Sequence, residues 1–315
     1  MKVRKLVSKS VNKSSDIKGL IDDFLRFSEA KGNTQNTINS HRYALNLLCK
    51  NDVWRYPAED LDRKHIQNLL VGISDSYYNK RLSAYKQFFE YCISEGIIDE
   101  NPAASFKYKR PTVQVVDHAE EDVRRFMNAI NQSTFSGLRD YVFCILMLDT
   151  GIRPSEALQL CPKDIDKVRK QIHVRAEIAK TGRERYLPAS VKVLNALEKL
   201  LSYRPDDWKA NAPILSTYDG NPLPARGIQK RFRDYAMRTG ITITPYHLRH
   251  VFGITFIRNG GSPFALQEML GHEGLEMTKV YVHFNNGDLA KAHEQASPLR
   301  NFVGGRRMRN PKMKR

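Results

Sequence analysis

Residues Thr244 to Tyr281, TPYHLRHVFGITFIRNGGSPFALQEMLGHEGLEMTKVY, decide how the rest of the chain is read. Thr244 is a capping residue followed by Pro245, whose fixed φ and missing N–H suit the first helical position. Ser262-Pro263 repeats the device once Gly260-Gly261 has closed the first helix. Two short helices are therefore predicted, the second ending in Leu270-Gly271-His272. On the first, Tyr246, Arg249, His250 and Gly253 lie three or four residues apart on one face, and Leu248, Val251, Phe252 and Thr255 turn toward a core. Nine residues beyond His272 stands Tyr281, between Val280 and Val282. An arginine, a histidine and a tyrosine thus come from one segment.

Upstream, LRDYVFCILMLDTGIRPSEALQL (138–160) reads as a strongly apolar helix, a sharp turn at Thr150-Gly151 and a second helix opening at Pro154-Ser155-Glu156. Arg153 stands at the mouth of that turn. Beside the first N–H groups of a helix, a planar guanidinium is well placed to hold two oxygens of a phosphate, although it can equally pair with Glu156. The next stretch, DIDKVRKQIHVRAEIAKTGRERYLPAS (164–190), alternates Ile172, Val174 and Ala176 with His173, Arg175 and Glu177. With a turn at Thr181-Gly182 before Arg185, Tyr186 and Leu187, it reads as a β-hairpin. Lys180 sits at its tip, eight residues before Pro188.

LRH, then LGH, then T-x-x-Y, preceded by TGIRPSEALQL and the hairpin lysine, resembles the signature of the tyrosine recombinases, the phage integrase family. The resemblance covers roughly residues 16 to 300. It implies that Arg153 and Arg249 clamp the scissile phosphate, with His272 as a hydrogen-bond donor to it. Tyr281 is then the nucleophile and Lys180 the general acid for the departing 5′-oxygen. Tyrosine attack on a phosphodiester would leave a 3′-phosphotyrosine, so no ATP is needed. Cationic side chains meet the charge that develops on the phosphorane, so neither cofactor nor metal is expected. One position departs from the pattern. Three residues before Arg249 the family carries histidine or lysine, whereas here Tyr246 stands there and His247 follows one place later. One residue turns a side chain by about 100° on a helix, so His247 does not simply substitute. Tyr246 is expected to bond the phosphate; the alternatives are a helix start rewound to bring in His247, or reduced activity. His250 reads as structural. His247 and His250 suit a zinc pair, but no third ligand is evident.

Composition suits a polyanion-binding protein: Lys+Arg number 51 against 34 Asp+Glu, a net charge of +17, with 41% hydrophobic residues to build cores. The four cysteines, Cys49, Cys92, Cys144 and Cys161, are widely spaced in apolar or helical contexts and read as reduced thiols. No run is long and apolar enough to span a bilayer and no signal-peptide core follows the basic start, so a cytoplasmic, nucleoid-associated protein is expected.

The predicted fold is mainly α with a small antiparallel β-sheet. Residues 1–15 are a basic arm, and residues 16–106 form four or five helices, similar to the SAM-like core-binding domain of integrases. In that unit Asn36 or Thr37 is expected to cap the second helix. Residues 107–112 are a basic linker, 113–300 an α+β catalytic domain with a last helix beyond Tyr281, and 301–315 a basic tail. Arg42, Lys80, Arg81, Lys86 and Lys109 are candidate backbone contacts to DNA, as are Arg226, Lys230, Arg231 and Arg233 on the basic helix RGIQKRFRDYAMRTG (226–240). The expected activity is site-specific recombination of double-stranded DNA carrying paired sites, by a homotetramer of phage or mobile-element origin with possible accessory proteins. A topoisomerase IB-like nicking and resealing enzyme and a DNA-binding protein without catalysis are the alternatives.

Overall fold

A computed structural model of the chain describes residues 16–50, 57–109, 118–282 and 293. The basic arm, the linker residues Arg110, Pro111 and Thr112, all but His293 of the helix expected beyond Tyr281, and the basic tail lie outside them. The chain divides into two compact units, Met1–Thr112 and Val113–Arg315.

The regular elements among the described residues of the first unit are all helical: α1 (Ile17–Ala30), α2 (Gln35–Lys50), α3 (Arg63–Leu70) and α4 (Asp75–Ser94), with a 3-10 turn at Ala58–Asp60. Asp16 caps α1, accepting from the Lys18 N–H at 3.4 Å. α2 begins two or three residues earlier than its polar residues suggest. Its cap is Thr34, whose Oγ1 accepts from the Thr37 N–H at 3.3 Å, rather than Asn36 or Thr37. Asp62 and His65 form a reciprocal capping box on α3. Leu82, Tyr85, Phe88, Phe89 and Cys92 of α4 are fully buried, and they meet Ile17, Leu20, Ile21, Phe24 and Leu25 of α1 in one core. Tyr85 keeps its hydroxyl satisfied by donating to the Ala44 carbonyl at 3.3 Å.

The second unit carries α5 (Glu120–Asn128), α6 (Phe135–Thr150), α7 (Pro154–Ala157), β1 (Ile165–Asp166), β2 (Gln171–Val174), β3 (Arg185–Pro188), α8 (Val191–Leu201), α9 (Ala225–Thr239), α10 (Pro245–Arg258), α11 (Pro263–Leu270) and α12 (Glu276–Lys279). The protein is therefore mainly α with one small three-stranded antiparallel sheet of order β1-β2-β3. α6 is buried on almost every face, as its unbroken apolar run requires, and packs against α8 and α10. Asp140 lies wholly inside on α6. It is held by Arg139 at 2.8 Å and Arg231 at 2.6 Å and accepts the Tyr235 hydroxyl at 2.7 Å, which fastens α9 to α6.

In the sheet Ile172 pairs with Leu187 and Val174 with Arg185; Ile172, Val174 and Leu187 face the core, and His173 stacks on Tyr186 across the outer face. The hairpin is shorter than its alternation suggests. β2 ends at Val174, Ala176 is exposed, and residues 175–184 form a long loop rather than a tight turn. α7 is a single turn, since Gln159 already lies outside it and Pro162 opens a separate 3-10 turn. The cysteines are all free thiols.

Candidate active site

The site is assembled on the end of α11. A helix leaves its last carbonyls without intrahelical partners; at α11 the left-handed turn at Gly271, φ 60°, lets the Gly271 and His272 N–H groups serve the Glu268 and Gln267 carbonyls, and the carbonyls that follow turn to side chains. Three arginines from three other elements take them. Arg185 Nε donates to the Met269 carbonyl at 3.1 Å, Arg249 Nη2 to Leu270 at 2.8 Å, and Arg153 Nη2 to Gly271 at 2.6 Å. Arg249 Nη1 also donates to the Gly151 carbonyl at 2.6 Å, so the same guanidinium closes the end of α6. The Gly-His of LGH thereby acquires a physical reason. A Cβ on Gly271 would stand 3.2 Å from Arg153 Nη1 and 3.3 Å from Arg185 Cζ.

Three guanidinium groups this close repel one another unless an anion lies among them. Glu156, fully buried on α7, is that anion: Arg153 Nη1 donates to Oε1 at 3.1 Å and Arg185 Nη2 to Oε2 at 2.5 Å. Burial pushes the Glu156 pKa up, but the bonds and charge of Arg185, then of Arg153, outweigh it and hold the carboxyl below its ordinary value. One carboxylate against three arginines leaves the cluster positive. Burial, then the charge of Arg153, lowers the Arg249 pKa to about 10, which still leaves it charged at neutral pH. Lys180 lies on the 175–184 loop with its side chain exposed, and its backbone N–H donates to Glu156 Oε1 at 3.3 Å.

His272 stands on the positive side of this cluster. Its Nε2 is 3.2 Å from Arg249 Nη2 and its Nδ1 2.9 Å from Thr278 Oγ1. A guanidinium only donates, so Nε2 must accept and Nδ1 must carry the hydrogen it gives to Thr278. Burial, then the charges of Arg249, Arg153 and Arg185, lowers the His272 pKa to about 4, so the ring is neutral at pH 7. Thr278 belongs to α12, and three residues on Tyr281 is buried, its backbone N–H donating to the Thr278 carbonyl at 3.0 Å. Burial raises the Tyr281 pKa above its ordinary value, outweighing the downward pull of the Arg249 charge. Its hydroxyl is 2.8 Å from His250 Nδ1, and its ring lies over α10 at Gly253, where a Cβ would meet Tyr281 Cδ1 at 2.9 Å.

The model of the phage integrase family matches residues 118–287, more than half of the chain. The chain belongs to the phage integrase family, the tyrosine recombinases. Among curated relatives, a tyrosine recombinase XerC of Proteus mirabilis is 29% identical over 250 residues, covering 76% of this chain and 79% of that protein. Among solved structures, the Tn1549 transposon integrase in complex with a circular intermediate DNA superposes with a TM-score of 0.72 at 21% identity, covering 88% of this chain and 99% of that one. A lambda integrase tetramer bound to a Holliday junction superposes with a TM-score of 0.66 at 19% identity, covering 84% of this chain and 79% of that one.

Within this tyrosine recombinase, Arg153, Arg249, His272 and Tyr281 come together as one network, and Lys180 is tied to it through its backbone. Tyr246 does not join. It is 53% exposed and makes no hydrogen bond with the described residues of the cluster. The rewound helix start is not found: Thr244 Oγ1 accepts regularly from the His247 N–H at 3.2 Å, and the His247 ring turns to His118, Nδ1 to Nε2 at 2.9 Å. No group of three or more metal-ligating side chains occurs among the described residues. Two members of the cluster escaped the sequence reading. Arg185 was legible only as a hairpin residue, and His250, read as structural, touches the Tyr281 hydroxyl.

The basic residues proposed for DNA separate into two kinds. Arg226, Lys230 and Arg233 are exposed on one face of α9, with no partner among the described residues. Arg231, between them, is engaged inward by Asp140 and Tyr235. In the first unit each has an internal contact: Arg42 pairs with Asp22 at 3.6 Å, Arg81 Nη1 donates to the Leu69 carbonyl, Lys86 Nζ donates to Ala104, Lys109 pairs with Asp75 at 3.0 Å, and Lys80 lies over the Tyr77 ring. Among the described residues, no helix is long and apolar enough to cross a membrane.

Proposed function

We propose that this recombinase cleaves and rejoins double-stranded DNA at specific paired sites through a 3′-phosphotyrosine on Tyr281. The observation that carries the reading is the placement of a buried tyrosine beside a net-positive trio of arginines held by one carboxylate. Attack by Tyr281 Oη on the scissile phosphorus forms the Oη–P bond and breaks P–O5′. Negative charge grows on the non-bridging oxygens, where the unspent N–H groups of Arg153 and Arg249 stabilise it most, because their positions are fixed beforehand. Lys180, on its exposed loop, protonates the departing 5′-oxygen. His272 joins by changing tautomer: once phosphate oxygens take up the Arg249 donors, Thr278 can donate to Nδ1 and free an Nε2–H for the phosphate. Tyr246, with its exposed hydroxyl on the first turn of α10, bonds the substrate rather than the cluster.

On this reading residues 16–106 are the core DNA-binding domain and 113–300 the catalytic domain. The working assembly is a homotetramer on two duplexes, as the lambda integrase tetramer on a Holliday junction exemplifies for that protein. The exposed face Arg226, Lys230 and Arg233 of α9 lies against the phosphates. The source is a phage or other mobile element, and the protein works in the cytoplasm on the nucleoid.

The test is covalent capture from DNA of the source organism, followed by plasmid assays carrying the recovered sequence once or twice. Recombination that requires two copies is expected. Relaxation of supercoils on a single copy would favour the topoisomerase-like reaction, and specific binding without any adduct would leave only a DNA-binding protein.

A further inference from the structure

Tyr281 must lose its phenolic proton as the Oη–P bond forms, and the family's usual residue at position 246 is here a tyrosine turned to solvent. Among the described residues, the Tyr281 hydroxyl has one hydrogen-bond partner, His250 Nδ1 at 2.8 Å. The other imidazoles nearby are committed elsewhere. His272 is held at both nitrogens, by Arg249 and Thr278, and His247 is paired with His118. We propose that His250 is the general base of DNA cleavage, taking the Tyr281 proton on Nδ1 as the phosphotyrosine forms.

The geometry fits in three respects. The two rings pack at a centroid distance of 5.7 Å with their planes tilted by 43°, so the hydrogen bond is accompanied by ring contact. Gly253, one turn beyond His250 on α10, is what lets the Tyr281 ring lie against the helix at all. His250 is itself neutral and able to accept, since burial, followed by the influence of His247 and Arg249, holds its pKa below the ordinary value. The step balances: Oη–P forms, P–O5′ breaks, the phenolic proton passes to His250 Nδ1, and the 5′-oxygen takes its proton from Lys180. In the rejoining step the imidazolium returns its proton to the departing phenolate. His250 thereby acts on a reacting atom, one helical turn along from the position where the family carries its histidine.

The inference rests on the proposed function, and its test separates the two. The probe is a nicked duplex bearing the sequence recovered by covalent capture, and the readout is the single-turnover rate of protein–DNA adduct formation. His250→Phe, which removes the acceptor and keeps the volume, is expected to slow adduct formation by about 10²–10⁴-fold with DNA binding unchanged. Replacing Tyr281 with a fluorinated tyrosine, whose phenol ionises more readily, should recover much of that loss in the variant while hardly changing the parent rate. His250→Asn keeps a hydrogen-bonding group near Nδ1 but cannot carry a proton at neutral pH, and it serves if the phenylalanine variant does not fold. Parent-like rates in either variant would overturn the assignment of His250 while leaving the recombinase reading intact. No adduct with the parent protein would overturn both.

Discussion

At the scale of single residues, the cluster is a balance of one buried carboxylate against three guanidinium groups, and its weakest point is the carboxylate. Removing Glu156 leaves Arg153 and Arg185 facing each other without an anion. Glu156→Ala is therefore expected to lower stability by about 3–5 kcal/mol in denaturant unfolding. The same network sets a pH response. Unfolded His272 takes up a proton near its ordinary value of 6.5, whereas the folded ring resists until about 4, so the unfolded state binds the proton first on acidification. Stability is expected to fall as pH drops from 6.5 toward 4. Glu156, with its pKa depressed in the fold, adds a loss in the same direction at the acidic end. Urea midpoints measured across this range should decline, with a shallower slope in His272→Gln.

At the scale of elements, α11 and α10 meet the site through glycines that do opposite things. Gly271→Ala places a Cβ in left-handed backbone and against two arginines, so both stability and cleavage should fall, the former by about 1–2 kcal/mol. Gly253 is ordinary helix, where alanine is intrinsically better by up to about 1 kcal/mol, but its Cβ would meet the Tyr281 ring at 2.9 Å. Gly253→Ala should keep the melting temperature near that of the parent and still reduce adduct formation by at least tenfold, a split that melting curves and cleavage rates taken together would reveal. Much at this scale was legible beforehand. Thr244-Pro245 and the Leu270-Gly271 stop mark helix ends because caps and left-handed glycines are local chemistry. What sequence could not show is pairing between distant elements. Arg185 reaches Glu156 across 29 positions and Arg249 reaches Gly151 across 98, and neither is announced by any local period. The contact of His250 with the Tyr281 hydroxyl is hidden for the same reason, since the two residues stand 31 positions apart. β2 and α7 are shorter than expected because Leu158 and Leu160 are buried from outside the helix, while Ala176 continues the alternation in sequence only and is exposed.

At the scale of the whole molecule, a net charge of +17 makes DNA affinity chiefly a matter of released counterions. The plot of log affinity against log salt should be steep. Arg226→Ala, Lys230→Ala and Arg233→Ala should each make its slope shallower by about 1, as expected for residues that meet phosphates. Arg231→Ala should behave differently, because its guanidinium serves Asp140 inside the unit: a loss of about 1.5–3 kcal/mol in stability with a smaller change in salt slope. Filter-binding titrations over a range of salt, paired with unfolding curves, would distinguish the two.

The central claim is that Tyr281, and no other tyrosine, carries the DNA. The chain itself offers a competitor, since Tyr246 lies on the neighbouring helix with its hydroxyl facing solvent while Tyr281 is buried. The decisive measurement is to trap the adduct on DNA of the source organism, digest both components, and sequence the peptide that retains a nucleotide. The nucleotide is expected on the peptide containing Tyr281, joined through a 3′-phosphate and absent in Tyr281→Phe. A nucleotide on Tyr246, or an adduct that survives Tyr281→Phe, would contradict the account.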